Sequence, residues 1–441
     1  MSLCITVACD FVVIREGCTQ RLDLQMNKPE SDSQESSSRL PECTAHEAAV
    51  AVSRLIIERG FIAYFAGGCV RDEILGLVPT DFDIATSAPP EEIAKIFRSA
   101  RGVGEAFGVM LVRWKGRVIE VATFRSDGEY RDGRRPSDVR FANANEDAQR
   151  RDFTINGLFR HPLTREVVDF VDGQKDLANR ILRAIGDPSA RLREDRLRTL
   201  RAVRFAARFE MAIDSATEQA ICDAARDLSG VSRERIGGEF RRMFAHSTRL
   251  RSAQLIEKWG LDAPALAESN SIGACARIAG LPSEVSFATV LAAWRLDRAE
   301  RAPNDSSGAW RESLNLSGNE SKEMMEILEI ISTLDLKWDD LPKSARKRLA
   351  SRSAFSSALK VLFGVAPERV LEVGKAVTSL ATESGGLAPE PFVSGSDLIA
   401  LGFQPGPRFK GLLDQMYDLQ LEGDINSKED SVAFARREWE R

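Results

Sequence analysis

Residues 65–84 read FAGGCVRDEILGLVPTDFDI and contain the two patterns that decide the fold. The pair Gly67-Gly68 follows a short apolar run, so that main-chain N–H groups can approach an anion. Arg71 adds a positive charge one helical turn later. The turn therefore predicts a binding site for a triphosphate, although a glycine pair before a helix is often purely structural.

Two aspartates, Asp81 and Asp83, end this stretch in an extended, apolar setting. Because side chains alternate along a strand, both carboxylates are expected on one side, with Phe82 and Ile84 on the other. Carboxylates this close need a counterion, and oxygen ligands in a nucleotide site favour Mg²⁺. A solvated strand end is the simpler alternative, and the joint spacing with the glycine turn favours the metal site.

Composition indicates a globular protein with two to four domains. The chain has 441 residues, 43% hydrophobic and 29% charged, with a net charge of −5 that argues against a wholly basic nucleic-acid coat. No apolar run approaches the roughly 18 residues of a membrane helix. The seven cysteines are scattered and form no C-x-x-C pair, which favours reduced thiols and a cytoplasmic location. Three histidines cannot form a histidine-rich metal centre.

Residues 1–44 are expected to form a disordered or peripheral tail. The first residues are apolar but lack a basic region, and Asp10 interrupts them, which argues against a secretory signal. The segment Lys28–Ser38 is rich in Ser, Glu, Asp and Pro and cannot bury enough surface to become ordered. Met26 is an alternative start of the protein.

Alternating helical and extended patterns follow this tail. A period of 3–4 in apolar residues predicts a helix, and alternation or β-branched runs predict strands. The predicted elements are a helix over 46–60, a strand over 61–66, helices over 70–77 and 89–97, and strands over 109–114 and 117–124 joined by a hairpin at Lys115-Gly116.

Glu120 lies within the last of these predicted strands, between Ile119 and Val121. An acid in an apolar strand is costly unless something compensates it, and a metal shared with Asp81 and Asp83 would do so. An acid on the open face of a half-exposed strand is the alternative.

The segment 126–136 is charged, contains two glycines and has Tyr130 as its one apolar anchor. This composition predicts a mobile loop that carries Asp132 and Arg135, or simply a solvated one.

Arginine dominates the part of the chain that comes next. In RRDFTIN, residues 150–156, paired cations, Asp152 and Asn156 can address phosphate, ribose and base together. Residues 180–250 then carry 15 Arg, no Lys and 10 acids, which suggests contact with RNA phosphates, although ion pairs on helix surfaces could absorb these charges.

Within this region, the sequence LREDRLR leads into a long predicted helix that continues to Phe209. Asp195 and Arg198 share one face of it and could form an intrahelical ion pair. Alternatively, the carboxylate accepts from an exocyclic amino group while the guanidinium donates to the adjacent ring atom. Cytosine and adenine present this arrangement and uracil and guanine do not, so the pair could admit CTP and ATP alone.

In order and spacing, these motifs resemble those of the class II tRNA nucleotidyltransferases (CCA-adding enzymes) and bacterial poly(A) polymerases. The resemblance is strong over residues 46–250, and Ser394–Gly402 is similar to the terminal segment of the CCA-adding branch. It implies an α+β fold, with a polymerase-β-like nucleotidyltransferase head followed by an all-helical neck, body and tail. We expect the tail at 1–44, the head at 45–180, the neck at 181–250, the body at 251–320 and a tRNA-binding tail at 321–441.

The resemblance also implies roles for individual residues. Asp81 and Asp83 would bind two Mg²⁺ ions, with Glu120 as the third catalytic carboxylate. Nucleotide-binding roles fall on Gly67, Gly68, Arg71, Arg151, Asp152, Asn156, Glu194, Asp195 and Arg198, with Glu194 orienting the two residues that select the base. In this family the loop with Asp132 and Arg135 is associated with the switch to adding A, so its presence argues against an enzyme restricted to CC.

The implied function is transfer of CMP and AMP from CTP and ATP to the 3′ end of tRNA. An A-adding or poly(A)-adding enzyme, or an inactive RNA-binding protein, is the alternative. Residues 401–441 contain six Lys or Arg against eight acids, whereas a poly(A) polymerase is expected to have a basic extension there. Lys343, Arg346, Lys347, Arg348 and Arg352 form a basic patch that could follow a tRNA backbone or simply be solvated.

Overall fold

The computed structural model describes residues 4–8, 11–15, 43–103, 108–128, 139–299, 309–383 and 385–440. Its strands are β1 (Cys4–Ala8), β2 (Phe11–Arg15), β3 (Ala63–Ala66), β4 (Ile84–Thr86), β5 (Arg101–Gly102), β6 (Val109–Trp114), β7 (Arg117–Thr123), β8 (Arg125–Asp127), β9 (Val139–Phe141), β10 (Leu158–Arg160), β11 (Val167–Asp169), β12 (Ile181–Leu182) and β13 (Ala212–Ile213).

The helices of the described residues outnumber the strands and dominate the second half of the chain. They are α1 (Ala45–Glu58), α2 (Gly68–Ile74), α3 (Pro90–Ile96), α4 (Ala144–Gln149), α5 (Gly173–Ala178), α6 (Pro188–Glu194), α7 (Leu197–Arg208), α8 (Ser215–Ala224), α9 (Arg233–Phe244), α10 (Arg249–Lys258), α11 (Asp262–Leu266), α12 (Ala276–Gly280), α13 (Phe287–Ala299), α14 (Trp310–Ser313), α15 (Gly318–Leu336), α16 (Lys343–Ala350), α17 (Phe355–Phe363), α18 (Pro367–Thr382), α19 (Gly395–Ala400), α20 (Pro407–Glu422) and α21 (Lys428–Trp439).

A mixed seven-stranded sheet in the order β11-β10-β3-β4-β7-β6-β5 forms the centre of the first half. Strands β4 and β7 pair in parallel, and every other neighbouring pair in the sheet is antiparallel. A sheet followed by helices agrees with the predicted α+β class. The short parallel pair β12–β13 is a small departure from an all-helical second part.

Local sequence explains where several of these elements begin and turn. Thr44 caps α1, and its hydroxyl and the Glu47 carboxylate each accept from the other's main-chain N–H. The predicted hairpin between β6 and β7 is confirmed, and Lys115 and Gly116 both have positive φ, 44° and 78°. This is the backbone that a tight two-residue hairpin turn requires.

The predicted continuous helix through Asp195 is wrong. Helix α6 ends at Glu194, Asp195 has an extended backbone with φ −143°, and α7 begins at Leu197. The Asp195 carboxylate accepts a hydrogen bond from the Leu197 N–H at 3.1 Å. Aspartate commonly accepts a hydrogen bond from an unpaired N–H at the start of a helix. This contact stabilises a new helix start after Asp195 more than a continuous helix through it.

Residue contacts divide the chain into two compact units. The first, here called the sheet unit, is bounded as Ser31–Ala274 with Arg301–Leu316, and the second, the helical unit, as Met1–Glu30, Cys275–Glu300 and Ser317–Arg441. The five-part division expected from the sequence stays a prediction. Among the described helices, none combines the length and apolar character needed to cross a membrane.

Candidate active site

The glycine turn lies between β3 and α2 in the sheet unit. Gly67 has φ +69°, and its N–H donates to the Leu158 carbonyl at 3.0 Å. A Cβ atom at Gly67 would lie 2.9 Å from Nη1 of Arg151. Glycine is therefore required here twice, for the backbone conformation and for the close approach of a cation.

Strand pairing places two of the predicted catalytic acids next to each other. In the parallel pair β4–β7, Ile84 lies opposite Val121, so that Asp83 and Glu120 each precede a paired residue. Ile84 and Val121 are both buried, whereas Asp83 and Glu120 are exposed. Because side chains alternate, Asp83 and Glu120 project from the same face of adjacent strands, about 5 Å apart in the sheet.

The charges around Asp83 make it an unusual aspartate. Although part of its side chain reaches solvent, the surrounding protein atoms of the cavity desolvate the Asp83 carboxylate; this desolvation, together with the negative charges of Glu120 and Asp81, raises its pKa to about 6, and Arg151 opposes the shift. Glu120 itself lies on the open face of β7, so the expected cost of an acid inside an apolar strand does not arise. Glu120 is therefore an acid on the open face of a half-exposed strand, and it also lies next to Asp83.

Asp81 lies two residues before Asp83, and the buried Phe82 between them preserves the expected alternation. Its Oδ2 accepts a hydrogen bond from the Thr80 hydroxyl at 3.2 Å. In the described part of the chain, no group of three or more His, Cys, Asp or Glu is arranged so that it could hold a metal ion. An all-oxygen donor set crowded by like charge nevertheless fits a hard divalent cation.

A cavity of about 630 Å³ in the sheet unit connects Asp83 and Glu120 with helices α7 and α9, and Asp81 lies outside its lining. Its acidic residues are Asp83, Glu120, Asp152 and Asp195, and its glycines are Gly67 and Gly68. The basic residues that line it are all arginines: Arg71, Arg125, Arg150, Arg151, Arg198, Arg201, Arg204, Arg208, Arg235 and Arg242. Such an excess of guanidinium groups in a concave site favours a polyanionic ligand.

Arg71 is held rigidly on the wall of this cavity. Its Nε and Nη2 donate to Asp72 Oδ1 at 2.8 and 2.6 Å, and Nη1 donates to Asn156 Oδ1. The guanidinium carbon also lies 4.5 Å from the centre of the Phe209 ring. Burial lowers the pKa of Arg71, and the adjacent Asp72 opposes the shift.

Asp152 is buried and links the RRDFTIN motif to α7. Its Oδ2 accepts from Arg201 Nε at 2.7 Å, and its Oδ1 accepts from Asn156 Nδ2 at 3.0 Å and from the Phe153 N–H at 2.9 Å. Burial opposes ionisation, but the attraction of Arg201 and these hydrogen bonds hold the pKa of Asp152 well below its usual range. Asp152 is therefore an ionised structural centre as well as a cavity residue.

Arg151 is positioned by a carboxylate and a carbonyl. Its Nη2 lies 3.0 Å from Asp147 Oδ2, and its Nη1 donates to the main-chain oxygen of Asn156 at 3.1 Å. Arg150 shares the same carboxylate, with Nη2 at 2.7 Å from Asp147 Oδ1. Asp147 thus orients both cations of the RRDFTIN motif.

The three residues of the predicted base-selecting motif have separate partners. Glu194 Oε2 accepts from Arg198 Nη1 and from Arg191 Nη1, whereas the sequence analysis expected Glu194 to orient both Arg198 and Asp195. Asp195 instead pairs with Arg235 of α9, whose Nη2 lies 2.6 Å from Oδ2. Asp195 and Arg198 both line the cavity, whereas Glu194 lies outside its lining.

Sequence reasoning missed much of the arginine lining. Arg198, Arg201, Arg204 and Arg208 recur every three or four residues in α7, and Arg235 and Arg242 are seven apart in α9. Helical periodicity of arginine, in place of apolar residues, is the signal that could have identified this face. The predicted loop residues Asp132 and Arg135 lie outside the described residues.

The predicted basic patch of the helical unit is engaged within that unit. Lys343 and Lys347 lie 3.4 and 2.9 Å from Glu383, Arg348 pairs with Asp418 at 2.6 Å, and Arg352 pairs with Glu326 at 3.0 Å. Arg346 donates to the Trp338 and Asp339 carbonyls. Within the helical unit, these contacts join α16 to α20 and to Glu383 after α18, and they join Arg352 to α15.

Two family models match the sheet unit. One is described as the poly A polymerase head domain and matches residues 63–183. The other is described as a probable RNA and SrmB binding site of polymerase A and matches residues 210–268.

Relatives and solved structures extend the similarity over most of the chain. The CCA-adding enzyme of Lacticaseibacillus paracasei is 34% identical over 86% of this chain and 93% of its own length, and that of Bacillus licheniformis is 31% identical over 89% and 96%. The crystal structure of the Bacillus stearothermophilus CCA-adding enzyme in complex with CTP has a TM-score of 0.69 and 26% identity, covering 90% of this chain and 98% of that one. The Thermotoga maritima CCA-adding enzyme complexed with tRNA shares the fold, with a TM-score of 0.64, 19% identity and coverage of 89% and 95%. The chain therefore belongs to the CCA-adding enzyme family of nucleotidyltransferases, with the polymerase-β-like head that the sequence predicted.

Proposed function

We propose that this protein transfers CMP and AMP from CTP and ATP to the 3′ end of tRNA and so builds or repairs the CCA terminus. One observation carries the proposal: a single arginine-lined cavity contains the glycine turn, two neighbouring acids and the pair Asp195 and Arg198. Nucleotide transfer needs all three features: the glycine turn for the phosphates, the acids for the reaction and the pair Asp195 and Arg198 for recognition of the base.

The phosphates of the nucleotide would lie against the glycine turn and the surrounding arginines. Gly67 leaves room for Arg151 within 2.9 Å of its Cβ position, and Arg71 borders the same space. Both guanidinium groups are held by carboxylates, so little side-chain entropy is lost when an anion binds. Asp152 and Asn156 would address the sugar.

Base selection would fall on Asp195 and Arg198. A carboxylate only accepts hydrogen bonds and a guanidinium only donates them. The pair matches the amino group and adjacent acceptor of cytosine and adenine, and it opposes a carbonyl oxygen of uracil or guanine to the carboxylate. No nucleic-acid template is needed for such a choice, because the protein presents the complementary pattern.

The acids Asp81 and Asp83 would hold Mg²⁺, with Glu120 as the third carboxylate of the site. When bound, the ions would supply positive charge for the triphosphate and the leaving pyrophosphate and would acidify the tRNA 3′-hydroxyl, as in two-metal transfer reactions. Desolvation and the negative charges of Glu120 and Asp81 raise the pKa of Asp83, and the charge crowding supports this role. Cys43, Cys69 and Cys222 are free thiols, which supports a reducing, cytoplasmic location.

The decisive test is incorporation of each labelled nucleotide into tRNA that ends before, within or after CCA. CMP addition followed by a single AMP, with no addition to complete tRNA, is the expected result. AMP addition alone would assign an A-adding enzyme, and long AMP runs would assign a poly(A) polymerase. Binding of tRNA without any incorporation would assign an inactive RNA-binding protein.

A further inference from the structure

The carboxylate of Asp195 is held from outside its own motif. Arg235 Nη2 lies 2.6 Å from Oδ2, and Arg235 Nη1 donates to Oδ1 at 3.3 Å. The Leu197 N–H donates to Oδ1 at 3.1 Å. Both oxygens are therefore engaged, and the two-point contact with the guanidinium fixes the plane of the carboxylate.

The backbone at Asp195 leaves the orientation of its carboxylate to a few side contacts. Asp195 lies in the break between α6 and α7 with an extended backbone, where the Leu197 N–H holds Oδ1 and Arg235 contacts both oxygens. Only 17% of the Asp195 side chain and 28% of the Arg235 side chain are exposed. Partial exclusion of water strengthens the pair relative to a surface ion pair.

Other cations compete for the same carboxylate. Arg201 of α7 is close enough for its pKa to be affected by Asp195, after larger effects of burial, Asp152 and Glu239, and Arg198 lines the same cavity. Without Arg235, rotation of Asp195 toward these arginines would remove its acceptor atoms from the position facing the base. Arg198 is protected from such a change, because Glu194 and the Arg191 carbonyl hold it separately.

We propose that Arg235 is a positioning residue for base selection, which acts by fixing the direction in which Asp195 presents its free lone pairs. The inference rests on the proposed function and extends it, because it assigns the two halves of the base-selecting pair to independent supports. Arg235 of α9 orients Asp195, which accepts hydrogen bonds, and Glu194 of α6 orients Arg198, which donates them. Loss of Arg235 should therefore reduce discrimination between bases more than it weakens binding of the triphosphate.

The test compares two substitutions of Arg235 with a matched arginine of the same helix. Arg235→Met removes the guanidinium and Arg235→Lys keeps the charge without the two-point contact. Arg242→Met is the control, because Arg242 also lines the cavity from α9 but pairs with Glu239, at 3.0 Å. For each variant kcat/KM is measured with CTP and with UTP on tRNA that lacks its CCA end, and Tm confirms folding.

We expect Arg235→Met to reduce the ratio of CTP to UTP use by about tenfold or more, the scale of one lost charge-assisted hydrogen bond. Arg235→Lys should restore part of it. Arg242→Met should lower kcat/KM for both nucleotides and leave their ratio unchanged. In an Asp195→Ala background, Arg235→Met should cause no further loss of discrimination, because it acts through Asp195.

Equal ratios of CTP to UTP use in Arg235→Met and Arg242→Met would overturn the proposal, because Arg235 would then contribute only positive charge to the cavity. An additional loss of discrimination in the Asp195→Ala background would overturn it as well. If Arg235→Met does not fold, Arg235→Lys is the deciding variant. A ratio of CTP to UTP use equal to that of the wild type would then show that the two-point contact is not needed for base selection. Failure of the wild-type protein to add CMP would instead contradict the proposed function, which separates the two results.

Discussion

Asp83, directly before strand β4, lies beside Glu120 of the parallel strand β7, and each comes one residue before the buried pair Ile84 and Val121. Parallel pairing brings together two acids from distant parts of the chain and directs both to the cavity that α7 and α9 border. The resulting repulsion contributes to the raised pKa of Asp83. This like-charge repulsion is the observation that supports the divalent cation of the proposed function.

Replacing Asp83 should therefore separate catalysis from folding. Asp83→Asn is expected to lower incorporation of CMP by about 10³-fold or more, while tRNA binding and Tm are retained, because the change relieves like-charge repulsion. Single-turnover incorporation, a filter-binding assay and thermal unfolding measure these three quantities. Turnover similar to that of the wild type would show that Asp83 has no catalytic role.

The glycine turn provides a matched pair of substitutions. Gly67→Ala forces a side chain into a backbone with φ +69° and places its Cβ 2.9 Å from Arg151, so we expect a higher KM for CTP and a loss of about 1 kcal/mol or more in stability. Gly68→Ala is the control, since its Cβ would lie 3.6 Å from Arg71 and its φ is ordinary. Equal effects of the two substitutions on KM and on denaturant unfolding would contradict the role of Gly67.

Asp152 should make the stability of the sheet unit depend on pH. Its pKa is lower in the folded protein than in the unfolded chain, so its contribution is present above the unfolded value and is lost as pH falls. We expect Asp152→Asn to cost about 3 kcal/mol near neutral pH, because Arg201 loses its buried partner, and less below pH of about 4. Urea unfolding of both proteins across this range measures the difference, and a gap that does not depend on pH would exclude the ionised pair as its source.

Substitution of the base-selecting pair should alter nucleotide choice. Asp195→Ala and Arg198→Ala are expected to relax discrimination against UTP and GTP more than they slow the transfer of CMP. Arg198→Ala should also lower Tm, because Arg198 bonds to Glu194 and to the carbonyls of Arg191 and Arg150.

Arg193→Ala serves as the control for these substitutions. Arg193 lies on the exposed side of α6 and outside the cavity lining, so nucleotide choice should not change. Competition between labelled CTP and UTP reports this choice directly, and unchanged selectivity in both Asp195→Ala and Arg198→Ala would remove them from base selection.

The basic residues of α16 should affect stability more than RNA affinity. Lys347 is 3% exposed and lies 2.9 Å from Glu383. Lys347→Met is expected to lower Tm by leaving Glu383 with fewer partners, while tRNA affinity and its salt dependence stay at the wild-type values. A reduced salt slope with unchanged Tm would instead place Lys347 on the RNA backbone.

Features that depend on neighbouring residues could be predicted from the sequence, and contacts between distant residues could not. The β6–β7 hairpin and the alternation of Phe82 and Ile84 with the two aspartates follow local rules of turn chemistry and periodicity, whereas the α+β class was implied by the resemblance of the motifs to a known family. The break at Asp195 was missed because a short polar side chain satisfied a helix end, which competes with helix propensity in a way that spacing does not reveal. Arg235 was missed because its partner Asp195 lies forty residues away, in the break between α6 and α7.

The sequence by itself determined the kinds of groups that the site contains: the glycine turn, the acids, the RRDFTIN motif and the residues that would choose the base. These are local patterns, and local patterns depend on neighbouring residues alone. Only the tertiary structure decided which groups meet. The parallel register sets Asp83 beside Glu120, and the packing of α9 on α7 supplies Arg235 to Asp195, because contacts between distant segments arise from burial of whole faces and leave no trace in spacing.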